Sequence, residues 1–152
     1  MILRVGIKAV LVYRKKVLLL RRSPDITRGD TWDIPGGIIE QDEKLLQGLR
    51  REVYEESGIK IKSVQVPLEI GYFNEGIYRY KNVIRIIYFC PVFISKVKLS
   101  PEHCDYKWFS VKDLRNLDSK EFISPKTYKI LVDRIEEVMK RRLVNFRENI
   151  SL

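Results

Sequence analysis

Histidine and cysteine are nearly missing from this chain: one His and two Cys stand among 152 residues. Cys90 and Cys104 lack CxxC spacing, and His103 has only Cys104 beside it, so a zinc site is not expected and Cys90 reads as a small hydrophobe in the core. No apolar run approaches the length of a membrane span, and no charged start followed by an apolar stretch resembles a signal peptide. A cytoplasmic location with no membrane partner is the expectation. Gly and Pro are too few for a low-complexity class, and charges of both signs are mixed along the chain. What is present is enough apolar material, 45% of the residues, for one sizeable core, so residues 1–152 are expected to form a single domain. The formal net charge of +9 suits a polyanionic partner, either nucleic acid or a small phosphorylated molecule. The basic residues are scattered, so a solvated Lys/Arg surface is the other reading of the same charge.

Periodicity predicts a hairpin, Val5–Tyr13 and Val17–Arg22, turning through Arg14, Lys15 and Lys16. A loop containing Pro24, Asp25, Gly29 and Asp30 leads to Trp32 and then to Pro35, Gly36 and Gly37. A helix is expected from about Glu43 to Glu56, with Asp42 as N-cap and Gly58 as its stop. Ile59–Phe73 and Val83–Ile94 read as strands joined by the polar link Asn74–Asn82. Val111–Leu117 reads as a short helix, and Pro125–Asn145 as a longer one whose core face is Tyr128, Leu131, Val132, Ile135 and Val138.

The stretch from Gly37 to Ile59 carries the chemistry. At about 100° per residue, Glu52, Glu55 and Glu56 project from one side of the helix, beside an apolar stripe of Leu45, Leu46, Leu49 and Val53. Gly48 falls within the acidic arc, where it costs on the order of 1 kcal/mol of helix propensity against Ala, so room for a ligand is the expected reason. Like charges near a helix C-terminus repel one another and oppose the macrodipole. Arg51 can pair with Glu55 and reach Glu43, but one guanidinium does not neutralise four acids. A hard divalent cation would, and all-oxygen ligands suit Mg²⁺ or Mn²⁺. Taken alone, the Glu-x-x-Glu-Glu pattern also reads as a solvated acidic helix face.

The same stretch resembles the Nudix box at every defined position: Gly37, Glu43, Arg51, Glu52, Val53, Glu55, Glu56, Gly58 and Ile59. Seven fixed identities give a chance match on the order of 10⁻⁹ per start. Trp32 and Pro35-Gly36 before the box, and Trp108-Phe109 with Asp113-Leu114 after it, are similar to the family's flanks, whereas Asp42 and Gly48 stand where Gly and Ala are more usual. The resemblance implies a mixed sheet in an α/β/α sandwich and a metal-dependent hydrolase of phosphoanhydride bonds. It implies that Glu52, Glu55 and Glu56, with the backbone carbonyl of Gly37, hold Mg²⁺, with Mn²⁺ as a substitute. It also implies that Arg51 orients the carboxylates and that Glu43 anchors Arg51.

The general base varies within the family. Glu52 and Glu55 are candidates, as is the segment before Trp108, read as a loop, where Glu102 is preferred over Asp105 and over His103, the latter read as a surface residue. Arg21 and Arg22 end the second strand and point to opposite faces, so at most one is expected to contact phosphate. Tyr72, Phe73, Tyr78 and Tyr80 flank the polar link and offer stacking surfaces, with Tyr78 taken as the substrate contact; core packing is the other reading, as it is for Trp32 and Trp108. A nucleoside triphosphate is the first expected substrate, followed by dinucleoside polyphosphates and ADP-ribose. An RNA 5′ end is a less favoured partner, and a homodimer stays open. A Nudix-fold module that binds RNA without catalysis is the reading from another class, and the complete set of carboxylates speaks against it.

Overall fold

In the computed structural model, residues 2–75 and 82–145 are described. Strand β1 (Arg4–Tyr13) turns through Arg14 and Lys15, at φ 47° and 63°, into β2 (Lys16–Arg22). Positive φ at both central residues is the turn geometry that matches strand twist in a two-residue hairpin. The two strands pair only at their closed end, Val12 with Val17 and Tyr13 with Lys16. Beyond it they part, and the segment after the loop fills the fork. There β3 (Trp32–Asp33) pairs with β2, and β4 (Gly36–Ile38) pairs with β1 opposite Gly6 to Lys8. Gly36 lies against the Ile7 carbonyl at φ 146°, where a side chain has neither room nor an allowed backbone. The polypeptide entering the box is therefore part of the sheet.

Strand β6 (Val83–Pro91) runs parallel to β1, and β5 (Glu69–Phe73) runs antiparallel to β6. Strand β7 (His103–Phe109) lies antiparallel along β2. The result is a seven-stranded mixed sheet, as expected. Period-2 alternation along β1 divides the core between two faces. Ile7, Ala9 and Leu11 pack with Leu49 and Val53 of helix α1 (Leu45–Ser57). Val10 and Val12 pack with Leu131, Ile135 and Val138 of helix α3 (Pro125–Asn145), with the short α2 (Val111–Asn116) contributing Leu114. Helices thus cover both faces. Among the described residues no helix is long and apolar enough to cross a membrane.

Three element boundaries differ from the sequence reading. Helix α1 begins at Leu45 with Lys44 as N-cap, because Asp42 adopts the left-handed conformation (φ 63°) and sits in the preceding turn. Ile59–Phe73 is not one strand: only Glu69–Phe73 pairs continuously with β6. Residues 59–62 alternate in burial as a strand would, with Ile59 and Ile61 buried and Lys60 and Lys62 exposed, but the next buried residues, Val64 and Leu68, break that period, and Pro67 lacks the N–H a continuous ladder needs. Two backbone bonds tie the segment to β6, from Gln65 N to Phe89 O and from Leu68 N to Ile87 O. At its far end β6 stops at Pro91, leaving Phe93 and Ile94 exposed beyond the sheet. In the apolar stripe of α1, Leu49 and Val53 are buried and Leu46 is half-buried, but Leu45 is 39% exposed.

Candidate active site

Helix α1 ends where the sequence places its stop: Gly58 is left-handed at φ 72°, and its N–H donates to Tyr54 O at 2.8 Å. Along its exposed flank, Arg51 is the hub. Its Nε donates to Glu43 Oε2 at 2.6 Å and its Nη2 to Glu43 Oε1 at 3.0 Å, a bidentate pair with a carboxylate that is only 6% exposed. The opposite guanidinium nitrogen, Nη1, reaches Glu52 Oε1 at 2.9 Å and Glu55 Oε2 at 3.4 Å. The Glu43 hydrogen bonds hold its carboxyl down to about 2. The same bonds raise the Arg51 pKa, so the guanidinium is permanently charged. Glu43 also accepts the Glu40 N–H at 3.0 Å, which ties the box loop to the helix.

Glu56 stands apart from this cluster. The Gly36 N–H donates to its Oε1 at 2.8 Å, and its Oε2 faces His103 Nε2 at 3.8 Å, beyond hydrogen-bond reach. Burial pushes the Glu56 carboxyl up to about 8, and burial pushes His103 down to about 4, so the charged form of each is disfavoured by its surroundings. Glu52 is likewise raised by burial, against the pull of Arg51. Beneath them lies a buried ion pair: Lys8 Nζ donates to Asp33 Oδ2 at 2.7 Å, with the two side chains 7% and 5% exposed. Its ammonium favours the anionic form of both Glu56 and Glu52.

The donor set fits a hard divalent cation. Glu52, Glu55 and Glu56 offer only oxygen, and the burial that raises Glu52 and Glu56 shows that their charge is under-compensated by Arg51 and Lys8. Gly37 adds a steric reason: a Cβ there would lie 2.6 Å from both Glu52 carboxylate oxygens, so only glycine lets this carboxylate approach the loop backbone. As the side chains stand, Arg51 lies between Glu52 and Glu55, and among the described residues no three His, Cys, Asp or Glu side chains are grouped to ligate one ion.

Several expected residues lie elsewhere. His103 and Asp105 are not in a loop before Trp108 but in β7, which begins at His103, while Glu102 lies in the turn just before it; His103 is buried, and its reading as a surface residue is overturned. Glu102 is exposed, and no hydrogen bond or ion pair joins its side chain to the box among the described residues; its carbonyl accepts the Ser23 N–H. Asp105 is exposed and accepts its neighbour's N–H, from Tyr106, at 2.8 Å. Arg21 and Arg22 do diverge. Arg21 lies over Trp32 and 3.6 Å from Asp30, whereas Arg22 donates twice to Thr27 O and acts electrostatically on His103. Tyr78 and Tyr80 lie outside the described residues. Gly48 faces the Glu43 side of the arc: a Cβ there would meet Ile39 Cδ1 at 2.5 Å and Glu43 Oε1 at 2.7 Å. Its space is taken by side chains of the protein itself and not kept for a ligand. The residues that sequence reasoning missed are Lys8 and Asp33. A lone Lys inside the apolar run of β1 was the available signal.

Known proteins bear on this geometry. The chain is 29% identical over 120 residues to an 8-oxo-dGTP diphosphatase of Buchnera aphidicola, covering 78% of this chain and 84% of that protein. It is 27% identical over 97 residues to a MutT-like protein of Streptomyces ambofaciens, where the match takes in 62% of this chain but only 55% of the relative. Among solved structures, a MutT protein from Methanosarcina mazei superposes with a TM-score of 0.75 at 30% identity, covering 91% of this chain and 96% of that one. The NUDIX domain family matches residues 3–130, a span that contains the whole box, both strands of the fork and His103, and the chain therefore belongs to the Nudix hydrolase family.

Proposed function

We propose that this chain is a Mg²⁺-dependent pyrophosphohydrolase that cleaves a phosphoanhydride bond of a nucleoside triphosphate, with Mn²⁺ as a working substitute. The observation that carries this reading is the Arg51 hub, which a bidentate bond to Glu43 locks while it holds Glu52 and Glu55 on one flank of α1. Similarity to an 8-oxo-dGTP diphosphatase over most of that relative's length supports a triphosphate.

Glu52, Glu55 and Glu56, with the Gly37 carbonyl, would hold the cation. When bound, it supplies neutralisation of charge on the phosphoryl oxygens and a bound water of lowered pKa. The chain's own residues do the remainder. The Gly36 N–H fixes the rotamer of Glu56. Arg51 holds Glu52 and Glu55 against mutual repulsion and carries a charge that does not titrate. Glu52 or Glu55 accepts the proton of the attacking water. Glu102 is not given this role, because it is exposed and, among the described residues, its side chain makes no bond to the box. Arg22, which acts electrostatically on His103 while its guanidinium also donates to Thr27 O, is taken as the arginine that meets phosphate.

A phosphate-release screen over nucleoside triphosphates, dinucleoside polyphosphates, ADP-ribose, nucleotide sugars and triphosphorylated RNA, with and without Mg²⁺, tests the reading. Highest kcat/KM on a nucleoside triphosphate, only with the cation, is expected. Preference for a diphosphate-linked compound would overturn the substrate class.

A further inference from the structure

The exposed side of α1 that faces away from the carboxylates carries a second surface. Tyr54 is two residues from both Glu52 and Glu56, hence about 160° around the helix from each. It borders a cleft of about 350 Å³ that is also lined by Lys60, Lys62, Pro91, Phe93 and Ile94 and has no acidic residue in its wall. Tyr54, Phe93 and Ile94 are 52%, 56% and 54% exposed, where the end of β6 at Pro91 and the end of α1 leave them beyond the core. Lys60 lies 5.8 Å from the Tyr54 ring.

Lys60 and Lys62 lie in the cleft wall, and a second segment brings further cations to its edge at Gly58. In 59–62, the exposed Lys60 and Lys62 flank buried Ile61; in 96–99, the exposed Lys96 and Lys98 flank half-buried Val97. The segments meet at the end of α1, where the Lys98 N–H donates to Ser57 O at 2.9 Å and a Cβ on Gly58 would touch Lys98 Cβ at 3.2 Å. None of the four lysines makes an ion pair among the described residues, whereas Lys8, Lys107 and Lys129 each do. Lys60 and Lys62 beside two exposed aromatic rings, with Lys98 at the edge formed by Gly58, favour an anionic partner with flat apolar faces.

We propose that this cleft binds single-stranded nucleic acid, with bases stacking on Tyr54 and Phe93 and phosphates meeting Lys60, Lys62, Lys96 and Lys98. Aromatic platforms beside a positive groove are the general recipe for sequence-tolerant single-strand binding. The site goes beyond hydrolysis and does not depend on it, since among the described residues no hydrogen bond or ion pair joins a cleft side chain to Glu52, Glu55 or Glu56, whose partners are Arg51, Gly36 and His103.

The test is fluorescence anisotropy of a labelled oligouridine with the full chain in chelator, between about 50 and 200 mM salt. Contact with three or four phosphates gives a log–log salt slope of about −2 to −3. The paired change Lys60→Glu with Lys62→Glu is expected to weaken binding by at least about tenfold and to flatten that slope, while Phe93→Ala weakens it about tenfold with the slope kept. Both variants keep the wild-type thermal midpoint. Uridine monophosphate, an acidic peptide and sedimentation of the free protein complete the measurement. No binding, binding unaffected by these substitutions, equal affinity for the monophosphate, tighter binding of the peptide, or a dimer that the substitutions dissociate would each overturn the proposal. None of these results bears on the triphosphate screen, so the two readings fail separately.

Discussion

At Glu43 a single carboxylate links the box loop, the helix and the charge of Arg51. Its pKa is held down to about 2 in the folded chain against about 4.5 for the free side chain, chiefly by the hydrogen bonds from Arg51. For a depressed carboxyl the stabilisation is fully present above about pH 4.5 and is lost as the pH falls through about 2. Glu43→Gln is therefore expected to cost about 1.5–3 kcal/mol at pH 7, a deficit that shrinks as the pH falls below about 4.5; urea unfolding at several pH values measures it. Turnover should fall as well, because an unanchored Arg51 releases Glu52 and Glu55. Glu56 behaves in the opposite sense. Its burial disfavours the anion, and a Gln amide oxygen still accepts the Gly36 N–H, so Glu56→Gln is expected to hold or raise the thermal midpoint of metal-free protein at pH 7 while turnover drops by about two orders of magnitude or more. A lowered midpoint in calorimetry would show that Glu56 is a structural anion. The Glu43–Arg51 contact was legible in the sequence because the box pairs the two positions, although Glu43 lies in the loop before α1 and not on the helix. The Lys8–Asp33 pair and the burial of His103 were not, since each depends on strands that meet only through the fork and the β2–β7 register.

Among the elements, α1 shows most clearly what a helical wheel can and cannot say. The wheel places Gly48 correctly within the arc, yet it contains no loop, and it is the loop that supplies Ile39 and Glu43 as the neighbours of this glycine. Gly48→Ala gains on the order of 1 kcal/mol of helix propensity but presses a methyl group on the Glu43 carboxylate, which Arg51 holds in place. The expected outcome is a folded protein within about 1 kcal/mol of wild type with reduced kcat, and Gly48→Leu should lose most activity by breaking the clamp. Circular dichroism, thermal midpoint and Mg²⁺-titrated turnover check both variants; full turnover in the Leu variant would show that the clamp is dispensable. The start of the same helix was misread for a related reason. Asp is a common N-cap, but here the loop needs a left-handed residue, and Asp42 takes that position in place of the cap. In the 59–73 segment, burial alternates over 59–62 and loses that period at Val64 and Leu68, and composition alone is blind to the effect of the missing N–H of Pro67 on pairing.

For the molecule as a whole, the sheet is a shared wall between two apolar layers. Leu18 faces the α1 layer and Leu19 the α3 layer, both fully buried on adjacent positions of β2. Leu18→Ala and Leu19→Ala are each expected to cost about 2–5 kcal/mol, with one cooperative unfolding transition retained in both, since neither layer closes without the common strand. Two separated transitions in denaturant would contradict that coupling. The architecture also explains why the family was legible before any coordinates: the box is continuous in sequence, so the fold has to supply only the fork that receives its loop. The substrate is less legible, because the surfaces around the carboxylates come from β1, β2 and β7 together. The central claim is that the carboxylates of α1 work through a divalent cation, and the most direct measurement is turnover of a nucleoside triphosphate by rigorously chelated protein as Mg²⁺ is restored. Activity absent without the cation, saturating as it is added, and not restored by Mg²⁺ in the Glu56→Gln variant is the expected result; undiminished hydrolysis by the metal-free protein would contradict the account.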